Sequence, residues 1–215
     1  LAAFQLLAKN GVHVVPVWNK SNREHTFIGS EPQGVFDAGQ AAVKELGWKH
    51  AWHVDADHIN LKTVDRFISC SDFFTIDVAD AIGKSAAEID VQAFMHRHPE
   101  LIGSVSIPGV AVPFTTTRTD VENVVSKYLL AVQDAGTIYR HITAAKGEDA
   151  IIAEVSMDET DAPQTPPELL MILAMLADEN VRVQTIAPRF TGRFNKVVYY
   201  VGDFEKKKKE FHDDL

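Results

Sequence analysis

The sequence predicts an α/β chain built as a truncated TIM-type (β/α) barrel, with about five of the eight βα units present. Two observations carry the prediction. Strand-like runs alternate with helix-like ones, the order that yields right-handed βαβ units and a parallel sheet. Each strand-like run also ends in charged residues, as barrel strands do where their carboxyl ends share a mouth. With 215 residues, 46% of them hydrophobic, the chain can bury a core but is too short for eight units. Residues 1–215 therefore read as one fragment of a single barrel domain.

The elements follow in order. An opening helix, "LAAFQLLAKNG" (1–11), closes at Asn10-Gly11. Leu1 already lies inside it, so the chain reads as a piece of a longer protein. The β-branched run "VHVVPVW" (12–18) reads as the first strand and passes into a polar loop, "NKSNREHT" (19–26). A helix over 37–47, capped by Gly47, leads to the second strand, "HAWHVDA" (50–56). A helix near 60–69 leads to the third, "FFTIDVA" (73–79). The helix over 84–98 is stopped by Pro99. Residues 99–117, with Pro108 and Pro113, read as a loop-rich insertion before a long helix over 119–145. Then come the fourth strand, "AIIAEVSM" (150–157), a helix over 166–180 that opens on paired prolines, and the fifth strand, "VRVQTIAPRF" (181–190). The "KKKK" run at 206–209, between Glu205 and Glu210, reads as the solvated face of a tail helix.

Composition removes several function classes. A net charge of −9 and a pI near 5.4 argue against nucleic acid as a partner, because phosphate binding needs a clustered basic face. The longest apolar run, "LLMILAMLA" (169–177), is too short to cross a bilayer, which takes about 20 residues. No membrane partner is expected. The single cysteine, Cys70, excludes an internal disulfide framework and fits a reducing, cytoplasmic setting; it has no basic neighbour in sequence and reads as a packing residue. No G-x-G-x-x-G follows the first strand, which argues against a dinucleotide cofactor. None of the five strand cores carries a lysine for Schiff-base chemistry.

The strand ends hold the candidate chemistry. In "HVDADHINL" (53–61), His53, Asp55 and Asp57 share parity and hence one face of the strand. Carboxylates entering a core need a cation or donors, and a divalent metal or a substrate would supply them. His58, just past the strand end, reads either as a loop imidazole or as a metal ligand. His53 lies deeper and reads as a hydrogen-bonded core residue. Glu154, alone in an apolar strand, suits a buried acid/base or a ligand. Asp77 could orient a ligand or simply end its strand in solvent. His96 and His98 imitate an H-x-H metal pair, but i and i+2 diverge on a helix, so they read as structural. Lys20, Arg23, Arg189 and Arg193 come from two loops of an acidic protein and suggest an anionic group on the substrate, a carboxylate or a phosphate.

Together, "NKSNREHT", "HVDADHINL", "FFTIDVADAIG", "AEVSMDET" and "APRFTGRFNK…YVGD" resemble the tagaturonate epimerase family, from about residue 12 to 203. The resemblance implies a (β/α) barrel of about twice this length and a metal-dependent interconversion of tagaturonate and fructuronate at C4. The Asp57-His58 pair is similar to the Asp-His step of class II aldolases. C4 is β to the ketose carbonyl, so direct deprotonation is ruled out, and retro-aldol cleavage of the C3–C4 bond is the natural route. On this resemblance Glu24, Asp57 and Glu154 are the acid/base carboxylates and His58 is a ligand of a divalent ion such as Mn, Ni, Zn or Co. Lys20, Arg23, Arg189 and Asn195 bind the sugar acid. After Asn195-Lys196 the family pattern Gly-Val-Asp-Tyr is replaced by "VVYY" (197–200). Further metal histidines are implied outside this span. The alternatives are a metal-dependent sugar isomerase, a class II-type aldolase, or a non-catalytic domain that binds a sugar acid.

Overall fold

The computed structural model describes residues 1–110, 112–192 and 200–214. In chain order its elements are α1 (Ala2–Lys9), β1 (Val17–Asn19), α2 (Asn22–Ile28), α3 (Gln33–Glu45), β2 (His53–Ile59), β3 (Phe73–Asp77), α4 (Glu88–Arg97), β4 (Gly103–Val105), β5 (Phe114–Thr116), α5 (Arg118–Lys146), β6 (Ile152–Ser156), α6 (Pro166–Asp178), β7 (Thr185–Ala187) and α7 (Phe204–Asp214). All five expected strands are found, in one sheet ordered β1-β2-β3-β6-β7, and β2 pairs in parallel with both β1 and β3. The protein is an α/β fold with a parallel sheet of five strands.

Three expectations need correction. The first strand is Val17–Asn19, not 12–18, because Pro16 has no N–H to donate; its carbonyl still accepts from His53 N at 3.0 Å. The helix near 60–69 is a turn with a single 3₁₀ stretch at Val64–Arg66. Asn60 Oδ1 accepts from Lys62 N and Thr63 Oγ1 accepts from Asn60 N, so side chains take the backbone partners a helix would use. The polar loop at 19–26 contains α2, whose ends are fixed by a Ser21–Glu24 capping box and by Gly29 at φ 65°.

The chain divides into two compact units. The first comprises Leu1–Asp77, Thr137–Val155 and Val183–Thr185. Its core is Val54, Ala56 and Ile59 of β2, Phe74 and Ile76 of β3, Ala153 and Val155 of β6, with Phe67, Ile138 and Ile142, all nearly inaccessible to solvent. Strands buried on both faces explain why these runs are apolar at consecutive positions rather than alternating. Gly39 of α3 lies against Trp18 and Trp52, and a Cβ there would stand 3.4 Å from both rings. The glycine admits the Trp18–Trp52 edge-to-face pair, with centroids 5.6 Å apart, beneath the helix.

The second unit comprises Val78–Gly136, Ser156–Arg182 and Ile186–Leu215. Val121, Val125, Tyr128, Val132 and Ala135 form a stripe along α5 at alternating spacings of four and three, each fully buried. Phe94, Met95, Met171, Ile172 and Met175 complete the core of this unit. The segment 99–117 is less irregular than its prolines suggest, since it holds the antiparallel β4–β5 hairpin. His98, from the H-x-H pair, is held by Glu100 at 2.8 Å and Asp178 at 3.1 Å. Its role is structural.

Candidate functional site

The polar residues of β2 are held from the neighbouring strands. Asp55 is 7% exposed, and its Oδ1 accepts from Thr75 N and Thr75 Oγ1, both at 3.2 Å. Thr75 Oγ1 also lies 3.1 Å from Asp55 Oδ2 and 3.5 Å from Glu154 Oε1. On the next strand, Thr185 Oγ1 donates to Glu154 Oε2 at 2.8 Å. Asp55, Thr75, Glu154 and Thr185 thus form a row across β2, β3, β6 and β7, all within the first unit. Thr75 has one hydroxyl proton and faces two carboxylates, so a proton on one acid completes the network. Burial pushes the Asp55 carboxyl up from the ordinary 3.8 to about 7; the charges of Asp57 and Glu154 push the same way, and the Thr75 hydrogen bonds only partly offset them.

At the carboxyl end of β2 the register shifts between Ala56 and Ile59, and His58 adopts φ 51°, uncommon for a residue with a Cβ. The bulge places the His58 ring between two acids, with Nδ1 3.5 Å from Asp77 Oδ2 and Nε2 4.0 Å from Asp57 Oδ1. All three side chains keep partial solvent access. Among the described residues no group of three or more His, Cys, Asp or Glu side chains converges as a metal site. His58 can offer a metal one imidazole nitrogen, but the described residues do not close a coordination shell around it.

The remaining predicted residues fall in different places. Asp57 and His58 stand together, and Glu154 joins the same unit through Asp55 and Thr75. Glu24 is exposed on α2, where its Oε2 accepts from Ser21 N at 3.0 Å and Ser21 Oγ at 3.1 Å. Its carboxylate already serves the capping box. Lys20 is half-buried and Arg23 exposed, both beyond the end of β1. Lys20 and Arg66 help burial to hold the neighbouring His25 below its ordinary pKa. Arg189 belongs to the second unit, where its guanidinium donates to Asp158 O at 3.2 Å. The buried Gln164 fixes that loop, pairing with the Arg189 backbone in both directions and donating to Met157 O at 2.6 Å. Asn195 and Arg193 lie outside the described residues.

Three residues of the row carry no role in the sequence reading. Asp55 was visible as one of the acids sharing a face on β2. Thr75 and Thr185 gave no signal, because threonine in a strand is an ordinary β-former. His53, expected in the core, pairs its Nδ1 with Asp72 Oδ2 at 2.9 Å. Cys70 is buried, which pushes its thiol up, as a packing residue should behave.

Comparison with known proteins adds a family. The profile of a family described as tagaturonate epimerase matches residues 2–215. A protein of Thermotoga maritima described as tagaturonate/fructuronate epimerase is 22% identical over 206 residues, 89% of this chain and 41% of the relative. Crystal structures of fructuronate-tagaturonate epimerase from Cohnella laeviribosi superpose with a TM-score of 0.81 for the form complexed with two glycerols, at 23% identity over 98% of this chain and 45% of that one. The native form gives 0.78 at 24% identity, over 91% and 42%. The chain therefore spans less than half the length of each of these relatives.

Proposed function

This chain belongs to the tagaturonate epimerase family, and on that premise we propose that the protein interconverts tagaturonate and fructuronate by inversion at C4. The family match over nearly every residue is the observation that carries the reading. The row of acids on β2 and β6 supports it, since inversion through carbon–carbon cleavage needs proton transfer at the C4 oxygen in both directions. In this reading the sheet is part of a (β/α) barrel and the acids line its mouth.

Asp57 and Glu154 take and return the proton of the C4 hydroxyl, and Glu24 is the third carboxylate available for that work. When the C4 hydroxyl is deprotonated its C–O bond becomes a carbonyl, the C3–C4 bond breaks, and the electron pair passes into the C2–C3 fragment. The aldehyde fragment turns, is attacked on its other face, and recovers its proton from the opposite acid. Lys20 and Arg23 hold the carboxylate end, so that the fragment turns without leaving; Arg189 and Asn195 are assigned to sugar-acid binding by the family resemblance alone. A divalent ion held in part by His58 would supply Lewis-acid polarisation of the C2 carbonyl. Its remaining ligands would come from outside the described residues. The enzyme works in the cytoplasm on a small sugar acid, with neither nucleic acid nor membrane as partner; among the described residues no helix is long and apolar enough to cross a membrane.

The test uses the full-length gene product, stripped of metal and resupplied with Mn²⁺, Ni²⁺, Zn²⁺ or Co²⁺, incubated with tagaturonate and followed for fructuronate by chromatography. Metal-dependent conversion, lost by at least about 100-fold in Asp57→Asn and His58→Ala, is expected. Folded protein that converts nothing with any of the four metals would overturn the reading. Release of two three-carbon fragments would make it an aldolase.

A further inference from the structure

Of the two acids in the row across the sheet, Glu154 is the one open enough to meet a substrate. Asp55 and Thr75 are sealed, at 7% and 4% exposed, whereas Glu154 is half-buried and Thr185 exposed. Each Glu154 oxygen faces a threonine hydroxyl from a neighbouring strand. Oε2 accepts from Thr185 Oγ1 of β7 at 2.8 Å, and Oε1 lies 3.5 Å from Thr75 Oγ1 of β3. That leaves about two of the four lone-pair positions of the carboxylate for a substrate.

The backbone fixes both threonines in place. Gln184 N donates to Ala153 O at 2.9 Å and Gln184 Oε1 accepts from Ala153 N at 2.6 Å, which brings the next residues of the two strands, Thr185 and Glu154, side by side. On the other flank, Thr75 N and Thr75 Oγ1 both lie 3.2 Å from Asp55 Oδ1, so Thr75 is tied from its far side. A glutamate that serves as acid and base must keep its place with and without its proton. A hydroxyl suits that requirement, because it donates to a carboxylate and accepts from a carboxylic acid. A lysine or arginine in its place would hold the anion alone and oppose the return of the proton. When Glu154 carries the proton and donates to Thr75 Oγ1, the Thr75 proton turns to Asp55 Oδ2, 3.1 Å away.

On the epimerase reading, we propose that Thr75 and Thr185 are positioning residues for Glu154, two hydroxyls that hold its carboxyl group in both protonation states while it takes and returns the proton of the C4 hydroxyl. Without them the glutamate side chain recovers its rotamer freedom, and its carboxyl spends less time in line with the C4 oxygen.

The experiment measures steady-state conversion of tagaturonate by the full-length gene product, loaded with whichever of the four divalent ions supports it, in Thr185→Val, Thr185→Ser, Thr75→Val and Thr75→Ser. Valine keeps the branched shape without the hydroxyl, and serine keeps the hydroxyl without the methyl. Thr185→Val should lower kcat about tenfold with KM within about twofold, and Thr185→Ser should recover to within about threefold of the native kcat. The Thr75 variants should follow the same order. A purely structural threonine gives the reverse order, because valine is the better strand former. Thr185 is exposed, so its two variants decide the matter if Thr75→Val does not fold. Glu154→Ala is the control, with an expected loss of at least about 100-fold. If that control fails and Glu154→Ala turns over normally, Glu154 is not the acid and its clamp falls with it. A native protein that converts nothing overturns the epimerase reading itself. Where the native enzyme works and Glu154→Ala does not, a native kcat in Thr185→Val, a loss confined to KM, or a serine variant worse than the valine overturns the positioning role alone.

Discussion

Asp55 is the residue in which burial and charge conflict most. Its folded pKa of about 7 lies above the ordinary 3.8, so the folded state holds the proton more tightly than the unfolded chain does. The stability it allows is therefore fully present below about pH 4, declines as pH rises towards 7, and stays low above that. A shift of this size corresponds to about 4 kcal/mol before structural relaxation, and roughly half of that is expected in practice. Asp55→Asn keeps the shape and cannot ionise. In metal-stripped protein it should raise stability at pH 8 by about 2 kcal/mol and flatten the pH dependence between 4 and 7, as read from urea melts across that range. An Asp55→Asn variant that follows the native pH profile would show that Asp55 is not the buried acid responsible. The sequence shows the acids of β2 sharing a face, but which of them is sealed off depends on Thr75, which arrives from 20 residues away.

At the level of the element, α2 ties a helix cap to a candidate catalytic group. Ser21 and Glu24 satisfy each other's backbone, and glutamine satisfies the same cap as well as glutamate does. Glu24→Gln should then leave the melting free energy within about 0.5 kcal/mol while lowering epimerase turnover of the full-length product about 100-fold. Ser21→Ala should do the reverse, costing about 1 kcal/mol of stability with turnover reduced far less. If Glu24→Gln turns over normally, Glu24 belongs to the cap alone. The S-x-x-E signature of this helix is present in the sequence. Periodicity hides it, because the helix is only seven residues long and buries a single side chain, His25. Long elements are easier to read. The helix α5 runs for about eight turns, with its stripe covering about four of them, and its expected limits of 119–145 differ from Arg118–Lys146 by one residue at each end.

For the molecule as a whole, alternation alone located all five strands of the sheet, because a parallel sheet covered on both faces needs apolar runs that a helix would break into stripes. Strand lengths were not legible, since they depend on which neighbour supplies the hydrogen bonds, and a strand at the margin has fewer. That margin has a consequence for handling the protein. Val12, Val14, Val15 and Val17 are each between 43% and 48% exposed, at or just before a strand whose outer side is unpaired among the described residues. Such a border is adhesive: bare amides and carbonyls flanked by valines template the addition of another chain. Solutions of the 215-residue chain should therefore scatter light increasingly with concentration despite the repulsion of nine negative charges. Val14→Lys with Val15→Lys should suppress the scattering without moving the melting temperature, because neither valine belongs to the core. Colloidal behaviour, rather than the strength of the fold, would then limit how concentrated this protein can be made.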